Sequence, residues 1–444
     1  MPIKSVHITN YYDRHSGGIS TSYNNLMDAA ARHQRHVRLI VPGESDSVED
    51  VNEFARIYFV TAKQSPVFDK RYRILLPWQY LKGDSKIREI LLAEKPDLVE
   101  VCDKYTLSMM GAMILRGSFA ELGRPVMVHF SCERMDDNVA SFMSKGSFGK
   151  WLASRVVGNF LMPSFDYHLA NSTYTAGEFA ESLKFDSFLN RTWRFLRAPR
   201  VLLSERTFVC PRGVNAAIFR PDRRSEDKRE IFRQKEGIPQ DAVMLLYAGR
   251  ISPEKNVELL VDMMIELGKD EGRDYRLLVA GAGPKADWLR EQTDEHFPGK
   301  IIQLGHLDKE ELADVYANAD IFVHPNPKEP FGIAPLEAMA SGVPVVAPRS
   351  GGILSYATDD NVWLVEPVGW EFAEAIFEIL EDPALTEAKT ANAVATALEN
   401  TREFATDRLF ATYDKIYGDF TSRRELFTDR AAAADFDYAE LNQK

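Results

Sequence analysis

Two glutamates, Glu329 and Glu337, carry the clearest chemical signal in this sequence. Glu329 stands in the run PNPKEPFG, which cannot form regular structure because each proline lacks a backbone N–H and has a fixed φ. Glu337 stands in a helix that opens near Gly332, with a proline in its first turn, and ends at Gly342. The free N–H groups at the start of this helix, with one acid in the loop and one in the helix, predict an anion-binding site.

Other polar and glycine residues follow neighbouring strands in the same half of the chain. Arg250 and Lys255 lie in AGRISPEKN, and a guanidinium and an ammonium on one loop suit a diphosphate. Gly283 lies in AGAGP, which lacks the longer dinucleotide fingerprint, and His306 follows the next strand. Each feature alone has an ordinary explanation as a turn or a solvated side chain. Together with the two acids they predict a pocket for a nucleotide diphosphate that carries a neutral polyol.

Strands and helices alternate in both halves of the chain, which predicts two doubly wound parallel sheets with ligands at the carboxyl ends of the strands. The first half opens with the strand IKSVHIT, a polar loop and a helix. Gly17 and Gly18 in that loop either form a tight turn or let the backbone approach a ligand. The strands of the second half are predicted in VMLLYAG, YRLLVAG, IIQLGH, ADIFVHP, VPVVAP and VWLVEP.

The length of 444 residues exceeds one ordinary hydrophobic core and predicts two domains. The run CPRGVNAAIFRPDRR, with its prolines and glycine, predicts the junction. We therefore predict an N-terminal acceptor-side domain over 1–212 and a C-terminal donor-binding domain over 213–402. Helices over 403–444, with a polar tail, are expected to pack back on the N-terminal domain.

The composition narrows the class of protein and its location. The net charge of -12 argues against a nucleic-acid partner. No apolar run reaches about 18 residues, so no membrane span is predicted. MPIKSVHITN is predicted to be a first strand and not a signal peptide. Three scattered cysteines suit a reducing cytoplasm and predict neither a metal site nor a disulfide framework.

The segment 184–208, KFDSFLNRTWRFLRAPRVLLSERTF, is basic and aromatic within an acidic protein. One interpretation is contact with an anionic lipid surface or an anionic acceptor, which would make the chain peripheral at the inner face of the membrane. The other is an ordinary solvated excursion of the first domain. The sequence leaves both open.

The motifs GRISPEKN, AGAGP and HPNPKEPFGIAPLEAMASGVPVVAPRSGG together resemble the retaining glycosyltransferases of family 4. The family signature E-x(7)-E is present as Glu329 and Glu337. The resemblance is dense in the second domain. It is thinner in the first, where GGIST, KPDLVEVCD, ANSTYTAGEFA and CPRGVNAAIFRPD match. It implies the GT-B architecture, in which two Rossmann-like domains face each other across a cleft.

The resemblance also implies a role for each residue. Glu329 would hold the hydroxyls of the donor sugar and Glu337 the ribose, while Arg250 and Lys255 would neutralise the leaving diphosphate. The donor would be a nucleotide-diphosphate sugar of the GDP-mannose or UDP-glucose type, used as co-substrate without a metal or other cofactor. The expected donor-binding residues are Gly17, Gly18, Gly283, His306, Leu307, Phe331, Gly332, Ile333, Ala334 and Glu337.

The sequence departs from the family pattern at one strand of the first domain. Many members place a histidine after a PVxxxF strand, facing the donor sugar. In RPVMVHFSCE that slot holds Ser131, and His129 lies two residues earlier on the same strand face. His129 is our catalytic candidate. Either it takes the role, or Ser131 replaces it, or neither residue acts.

The expected reaction moves a hexose to a hydroxyl of a lipid, glycan or small-molecule acceptor with retention of the anomeric configuration. Two alternatives remain. A GT-B sugar-nucleotide epimerase would need acid and base groups around the sugar, which the proline loop does not predict. A catalytically silent nucleotide-sugar-binding subunit has no chemical reason to retain all four of Arg250, Lys255, Glu329 and Glu337.

Overall fold

We describe the fold from a computed structural model, in which residues 2–12, 18–65, 73–142, 147–183 and 187–442 are described. The chain divides into two compact units. The first comprises Met1–Cys210 together with Thr406–Lys444, and the second comprises Pro211–Ala405. The change of unit after Cys210 falls within the predicted junction run, and the C-terminal helices cluster with the first unit.

The first unit is built on an eight-stranded sheet of order β10-β9-β8-β7-β1-β2-β4-β3. Its pairs are parallel except β3 with β4. Along β2, β4, β7, β8 and β9, alternate side chains enter hydrophobic cores on opposite faces, as in a sheet covered on both sides. The strands, with the small ladder β5–β6, are β1 Ser5–Thr9, β2 Val37–Gly43, β3 Ser47–Asp50, β4 Ala55–Thr61, β5 Lys63–Gln64, β6 Arg73–Ile74, β7 Leu98–Cys102, β8 Val126–Ser131, β9 Tyr167–Ala170 and β10 Thr207–Val209.

Helices connect these strands and cover both faces of the sheet. They are α1 Gly18–Arg32, α2 Trp78–Leu81, α3 Lys86–Glu94, α4 Ser108–Leu115, α5 Met135–Phe142, α6 Ser147–Val156, α7 Thr173–Ser182 and α8 Ser187–Leu196. The helix α7 begins with a capping box, in which the Ser172 side chain accepts from the backbone of Thr175. The start of this helix thus lies within the run ANSTYTAGEFA.

The second unit is a six-stranded parallel sheet of order β13-β12-β11-β14-β15-β16. Along β11, Met244 and Leu246 enter one core while Leu245 and Tyr247 enter the other. The strands are β11 Val243–Ala248, β12 Tyr275–Ala280, β13 Ile301–Gly305, β14 Ile321–Val323, β15 Val345–Pro348 and β16 Trp363–Val365. The helices are α9 Glu226–Glu236, α10 Glu258–Leu267, α11 Ala286–His296, α12 Lys309–Asn318, α13 Ile333–Ala340, α14 Gly369–Glu381 and α15 Pro383–Glu399.

The chain ends in the helices α16 Arg402–Ser422, α17 Arg424–Thr428 and α18 Arg430–Asp435. The helix α16 buries Phe410, Tyr413, Ile416 and Phe420 in a core of the first unit. The Tyr413 hydroxyl donates to the buried Glu100, which His7 also contacts at 3.0 Å. This long-range polar network fixes the tail helix against the first sheet.

Glycines interrupt two helical runs of the first unit. The run WQYLKGDSKIREILLAEK forms α2 and α3, because a turn through Gly83 separates them. In YTLSMMGAMILRGSFAELG the helix α4 ends at Leu115, since Gly117 turns the chain with a φ of +82°. The two doubly wound sheets themselves are confirmed.

Candidate functional site

Four loops of the second unit meet at one edge of its sheet, because β11, β12, β13 and β14 run parallel and end there. Backbone hydrogen bonds tie three of these loops together. The Gly249 N–H donates to the Ala280 carbonyl at 2.9 Å, and the Gly281 N–H donates to the Gly305 carbonyl at 2.7 Å. The loop backbones therefore form a fixed frame for the side chains described below.

The glycines of AGAGP allow the backbones of neighbouring loops to lie close together. A Cβ on Gly281 would lie 1.9 Å from the Gly249 carbonyl oxygen, and one on Gly283 would lie 2.2 Å from the Ile251 carbonyl oxygen. Neither distance is compatible with a side chain. Gly283 is thus required for packing of two neighbouring loops, and its predicted donor contact stays a prediction.

Glu329 lies at the centre of a polar cluster. Its Oε2 atom accepts from the Lys255 ammonium at 2.7 Å and from the Asn326 amide at 3.0 Å. Burial works to raise the pKa of Glu329, but the Lys255 charge, the nearby His324 and these hydrogen bonds outweigh it and bring the pKa to about 2. The carboxylate is therefore ionised at neutral pH and able to accept hydroxyl donors.

Two residues of this cluster, His324 and Asn326, were not predicted as site residues from the sequence. The His324 Nε2 atom lies 3.8 Å from the Glu329 carboxylate, and neither ring nitrogen finds a hydrogen-bond partner within the described residues. Burial lowers the pKa of His324 to about 4, so the imidazole is neutral at pH 7. The only sequence signal for either residue was its position at the end of a strand that precedes the proline loop.

The turn that carries Lys255 is joined directly to the proline loop. Asn256 adopts a left-handed conformation with a φ of +53°, and its side-chain amide donates to the Pro325 carbonyl at 2.9 Å. The left-handed region is accessible to asparagine at low energetic cost. This contact brings Lys255 and Glu329 together although they are 74 residues apart.

The segment PRSGG supports the proline loop from the other side. The Ser350 hydroxyl donates to the Pro327 carbonyl at 3.0 Å, and the Gly352 N–H donates to the Glu329 carbonyl at 2.6 Å. A Cβ on Gly352 would lie 2.0 Å from the Pro330 carbonyl oxygen. The backbone position of Glu329 therefore depends on a glycine at 352.

We expect Gly352→Ala to destabilise the second unit by about 1–3 kcal/mol, because the added methyl overpacks against Pro330. Transfer activity should fall as well, since the loop that carries Glu329 must move. Urea unfolding and an activity assay measure the two effects. Gly418→Ala is the matched control, because neither Gly352 nor Gly418 has a left-handed φ and no atom lies within 4 Å of a Cβ on Gly418. Equal losses in the two variants would contradict this account of the loop.

The helix α13 begins beside Glu329. Its N-cap, Gly332, has a φ of +88°, and the Tyr356 hydroxyl donates to the Gly332 carbonyl. Phe331 is buried with its ring 5.3 Å from that of Tyr356. Ile333 and Ala334, in the first turn, are half-buried, and no side chain in the described part of the chain caps the helix start. Such a terminus suits an anion, and the anion site predicted from the sequence stays a prediction.

Glu337 lies within α13 and has a hydrogen-bond partner of its own. Its Oε2 atom accepts from the Tyr316 hydroxyl of α12 at 3.2 Å. Burial raises the pKa of Glu337 to about 8. The two glutamates of the motif thus differ in charge at neutral pH, which their spacing alone did not predict.

The remaining predicted residues of this unit lie on the same loops. The Arg250 guanidinium is partly exposed, with Nη1 at 3.6 Å from the Glu254 carboxylate. His306 is exposed and Leu307 half-buried, directly after β13. Their parts in donor binding stay predictions.

The predicted residues of the first unit lie at separate places. Gly18 is exposed at the start of α1, and Gly17 lies outside the described residues. His129 is fully buried in β8, with ring centroids 5.4 Å from Phe165 and 5.7 Å from His168. Burial holds the pKa of His129 well below its ordinary value. These surroundings are typical of a core histidine, and a catalytic role for His129 stays a prediction.

The strand ends of the first unit carry a polar cluster that was not predicted as a site. Asn10 donates to the Asp103 carboxylate at 3.0 Å, and the Tyr11 hydroxyl donates to Glu133 at 3.3 Å. Lys104, buried beside them, donates to Glu178 and to the Glu133 carbonyl. The sequence predicted the strands, but it did not show which polar residues at the strand ends form hydrogen bonds with each other.

Comparison with known proteins identifies the type of this fold. Residues 228–396 match the family model described as glycosyl transferases group 1. A GDP-mannose-dependent alpha-(1-6)-phosphatidylinositol dimannoside mannosyltransferase from Mycobacterium tuberculosis is 25% identical over 383 residues, which is 86% of this chain and 88% of the relative.

Two solved structures share the fold over nearly the whole chain. Sucrose-phosphate synthase from Thermosynechococcus elongatus has a TM-score of 0.69 at 19% identity and covers 94% of this chain and all of its own. HepE from Anabaena, in complex with UDP and glucose, has a TM-score of 0.65 at 17% identity and covers 93% of this chain and 99% of its own. The protein is therefore a glycosyltransferase of the GT-B type, with a glycosyl transferases group 1 domain over residues 228–396.

Proposed function

We propose that this protein is a retaining, family 4 glycosyltransferase that moves a hexose from a nucleotide-diphosphate sugar to a hydroxyl of a lipid, glycan or small-molecule acceptor. The observation that supports this most is the ionised Glu329, held by Lys255 at 2.7 Å next to the uncapped start of α13. A carboxylate suits sugar hydroxyls, whereas a helix start and an ammonium suit phosphate. The sugar and the diphosphate of one donor thus suit groups that are neighbours in this site.

The proposed step needs charge stabilisation more than acid or base catalysis. The bond from the anomeric carbon to the diphosphate oxygen breaks, and the acceptor oxygen bonds to that carbon on the same face. The acceptor proton passes to the departing phosphate oxygen, so charge and atoms balance. Lys255 has three N–H donors, and its side chain is 27% exposed, so it can contact the diphosphate while it still contacts Glu329. Arg250 would supply the second positive charge.

The donor is either GDP-mannose or UDP-glucose in type. The mycobacterial relative is named for GDP-mannose, and the Anabaena structure contains UDP and glucose. These names support both donors as the first to test and do not distinguish them. A cytoplasmic location, inferred from the scattered cysteines, stays a prediction.

The alternatives fit the site less well. An epimerase needs groups that remove and return a proton at the sugar, but the Glu329 carboxylate is a weak base with a pKa of about 2. A silent binding subunit would bind the donor and form no product. Product formation therefore separates the three functions.

A donor screen tests the proposal. The full chain is incubated with UDP-, GDP- and ADP-sugars and a panel of hydroxyl acceptors, in EDTA and with added magnesium. We expect diphosphate release and a glycoside with the anomeric configuration of the donor, assigned by NMR, at equal rates in both buffers. An inverted product, an epimerised donor, or donor binding with no product would each overturn the proposal. Strict dependence on a divalent metal would contradict the metal-free mechanism.

The raised pKa of Glu337 predicts pH-dependent nucleotide binding. Below about pH 8 this carboxyl is protonated in the free protein, but ribose hydroxyls are best accepted by the ionised form. Binding should therefore release a proton, and affinity should rise with pH until about 8, by at most about tenfold per pH unit. Calorimetry with UDP and GDP across this range measures the slope.

Glu337→Gln is the control for this experiment, because it retains the shape and cannot titrate. The ionisation of the nucleotide phosphate itself is common to both proteins. The difference between their slopes isolates Glu337. Identical slopes would contradict a ribose contact by an ionised Glu337.

A further inference from the structure

The first unit exposes aromatic rings on two packed helical segments. One segment is α6 with its π-helical continuation Val157–Leu161, and the other is α8. Large apolar side chains normally avoid such exposure when several are close together. The exposed rings, which we call the aromatic surface, are Phe148, Trp151, Phe160, Phe188 and Phe195.

The opposite faces of these segments are anchored in the core. Ala153 and Val157 are buried on one segment, and Leu189 and Trp193 on the other. The Trp193 indole N–H donates to the Gly158 carbonyl at 2.8 Å, which joins the two segments. The part of the basic segment within α8 is thus an amphipathic helix with a buried face, and not a wholly solvated excursion.

The charge on these segments has one sign. The sequence contains no aspartate or glutamate over 147–164 or over 187–204, in a chain of net charge -12. Cations also accompany the rings, with Arg116 at 4.4 Å from the Phe195 ring centroid and Arg155 at 5.9 Å from that of Trp151. On α8, the Asn190 side chain donates to the Asp437 carboxylate at 2.6 Å. The cations over 147–164 and 187–204 are Lys150, Arg155, Arg191, Arg194, Arg197 and Arg200.

We propose that the aromatic surface binds the face of an anionic lipid bilayer and holds the protein there peripherally. Exposed tryptophan and phenylalanine enter the headgroup region, while arginine and lysine contact lipid phosphates. A soluble polyanion would match the charge but would leave the large exposed rings without an apolar partner. None of the helices in the described part of the chain combines the length and apolarity that a bilayer span needs.

Vesicle co-sedimentation of the full chain tests this proposal independently of any transfer reaction. We expect binding to phosphatidylcholine vesicles that contain phosphatidylglycerol, and little binding to phosphatidylcholine alone. Binding should weaken as salt rises, because screening shortens the reach of the basic residues. Equal binding to both vesicles, or none to the anionic ones, would overturn the proposal.

Single substitutions locate the contact. Arg191→Gln should weaken binding about fivefold, as for one basic group at an anionic surface. Trp151→Ser and Phe188→Ser should weaken binding at least as much. Their matched controls are Trp370→Ser and Phe404→Ser in the second unit, since Trp151 and Trp370 are 54% and 58% exposed and Phe188 and Phe404 are each 54% exposed.

The controls should bind like the wild type, and thermal unfolding should show that every variant is folded. Equal losses in test and control variants would overturn the assignment to this surface. A second copy of the chain could instead cover the rings. Sedimentation velocity without lipid addresses this, because a dimer that dissociates in Trp151→Ser would identify a protein interface and refute the lipid proposal.

Discussion

Replacing Glu329 with glutamine will lower kcat/KM for transfer by about 100- to 1,000-fold, the range found when one preorganised charge-stabilising group is removed. The amide retains the size of the side chain and its hydrogen bonds with neighbours, but not the negative charge. The sugar hydroxyls would then lose a charged acceptor, and Lys255 would lose its counterion. The carboxylate would also stabilise the positive charge that grows on the sugar as the diphosphate leaves, so we expect kcat to fall more than KM rises.

Steady-state kinetics with the donor identified in the screen measures this effect. Circular dichroism and thermal unfolding should show an intact second unit. Glu399→Gln, at the exposed end of α15, is the control and should keep wild-type rates. Full activity of Glu329→Gln would remove this residue from the proposed site.

Replacing Lys255 with methionine should reduce kcat by a similar factor, about 100- to 1,000-fold, because charge growing on the diphosphate loses an ammonium partner. The loss of the Lys255 charge also changes the pKa of Glu329. Burial raises the pKa of Glu329, and Lys255 is the strongest of the groups that lower it. Without Lys255 that pKa must rise.

The pH profile provides a specific test of this coupling. Glu329 is active when ionised, so activity is lost as the pH falls through its pKa. In the wild type this pKa is about 2, and the acid limb from this group lies below the usual assay range. In Lys255→Met the limb should move to higher pH. Lys269→Met, an exposed lysine of the same unit, should change neither the rate nor the profile. An unshifted limb in Lys255→Met would contradict the coupling.

Local signals in the sequence were sufficient to predict the two sheets. The strands of the second unit are short apolar runs bounded by glycine, proline or polar residues, and the helices between them have regular spacing. Such signals depend on neighbours within a few residues, which the sequence shows directly. The same holds for the start of α13, where Gly332 and Pro335 mark the first turn. The antiparallel strand β3 was missed, because its four residues, SVED, are mostly exposed and lack an apolar pattern.

The candidate site was predicted only in part. The sequence supplied Arg250, Lys255, Glu329 and Glu337 as residue types that suit a diphosphate sugar. It did not show that Lys255 and Glu329 form an ion pair, or that His324 lies against the same carboxylate. Those contacts depend on how loops after different strands meet, which no local pattern encodes.

The sequence by itself determined the order of elements, the glycines and prolines that shape the loops, and the chemical groups on offer. Only the tertiary structure decided the ionisation and the burial of these groups. Glu329 is ionised because Lys255 and Asn326 surround it, whereas Glu337, buried beside Tyr316, has a pKa raised to about 8. His129 was an open candidate on a strand, and the fold places it in a closed aromatic core. Burial and long-range pairing set these properties, and both arise when distant segments pack.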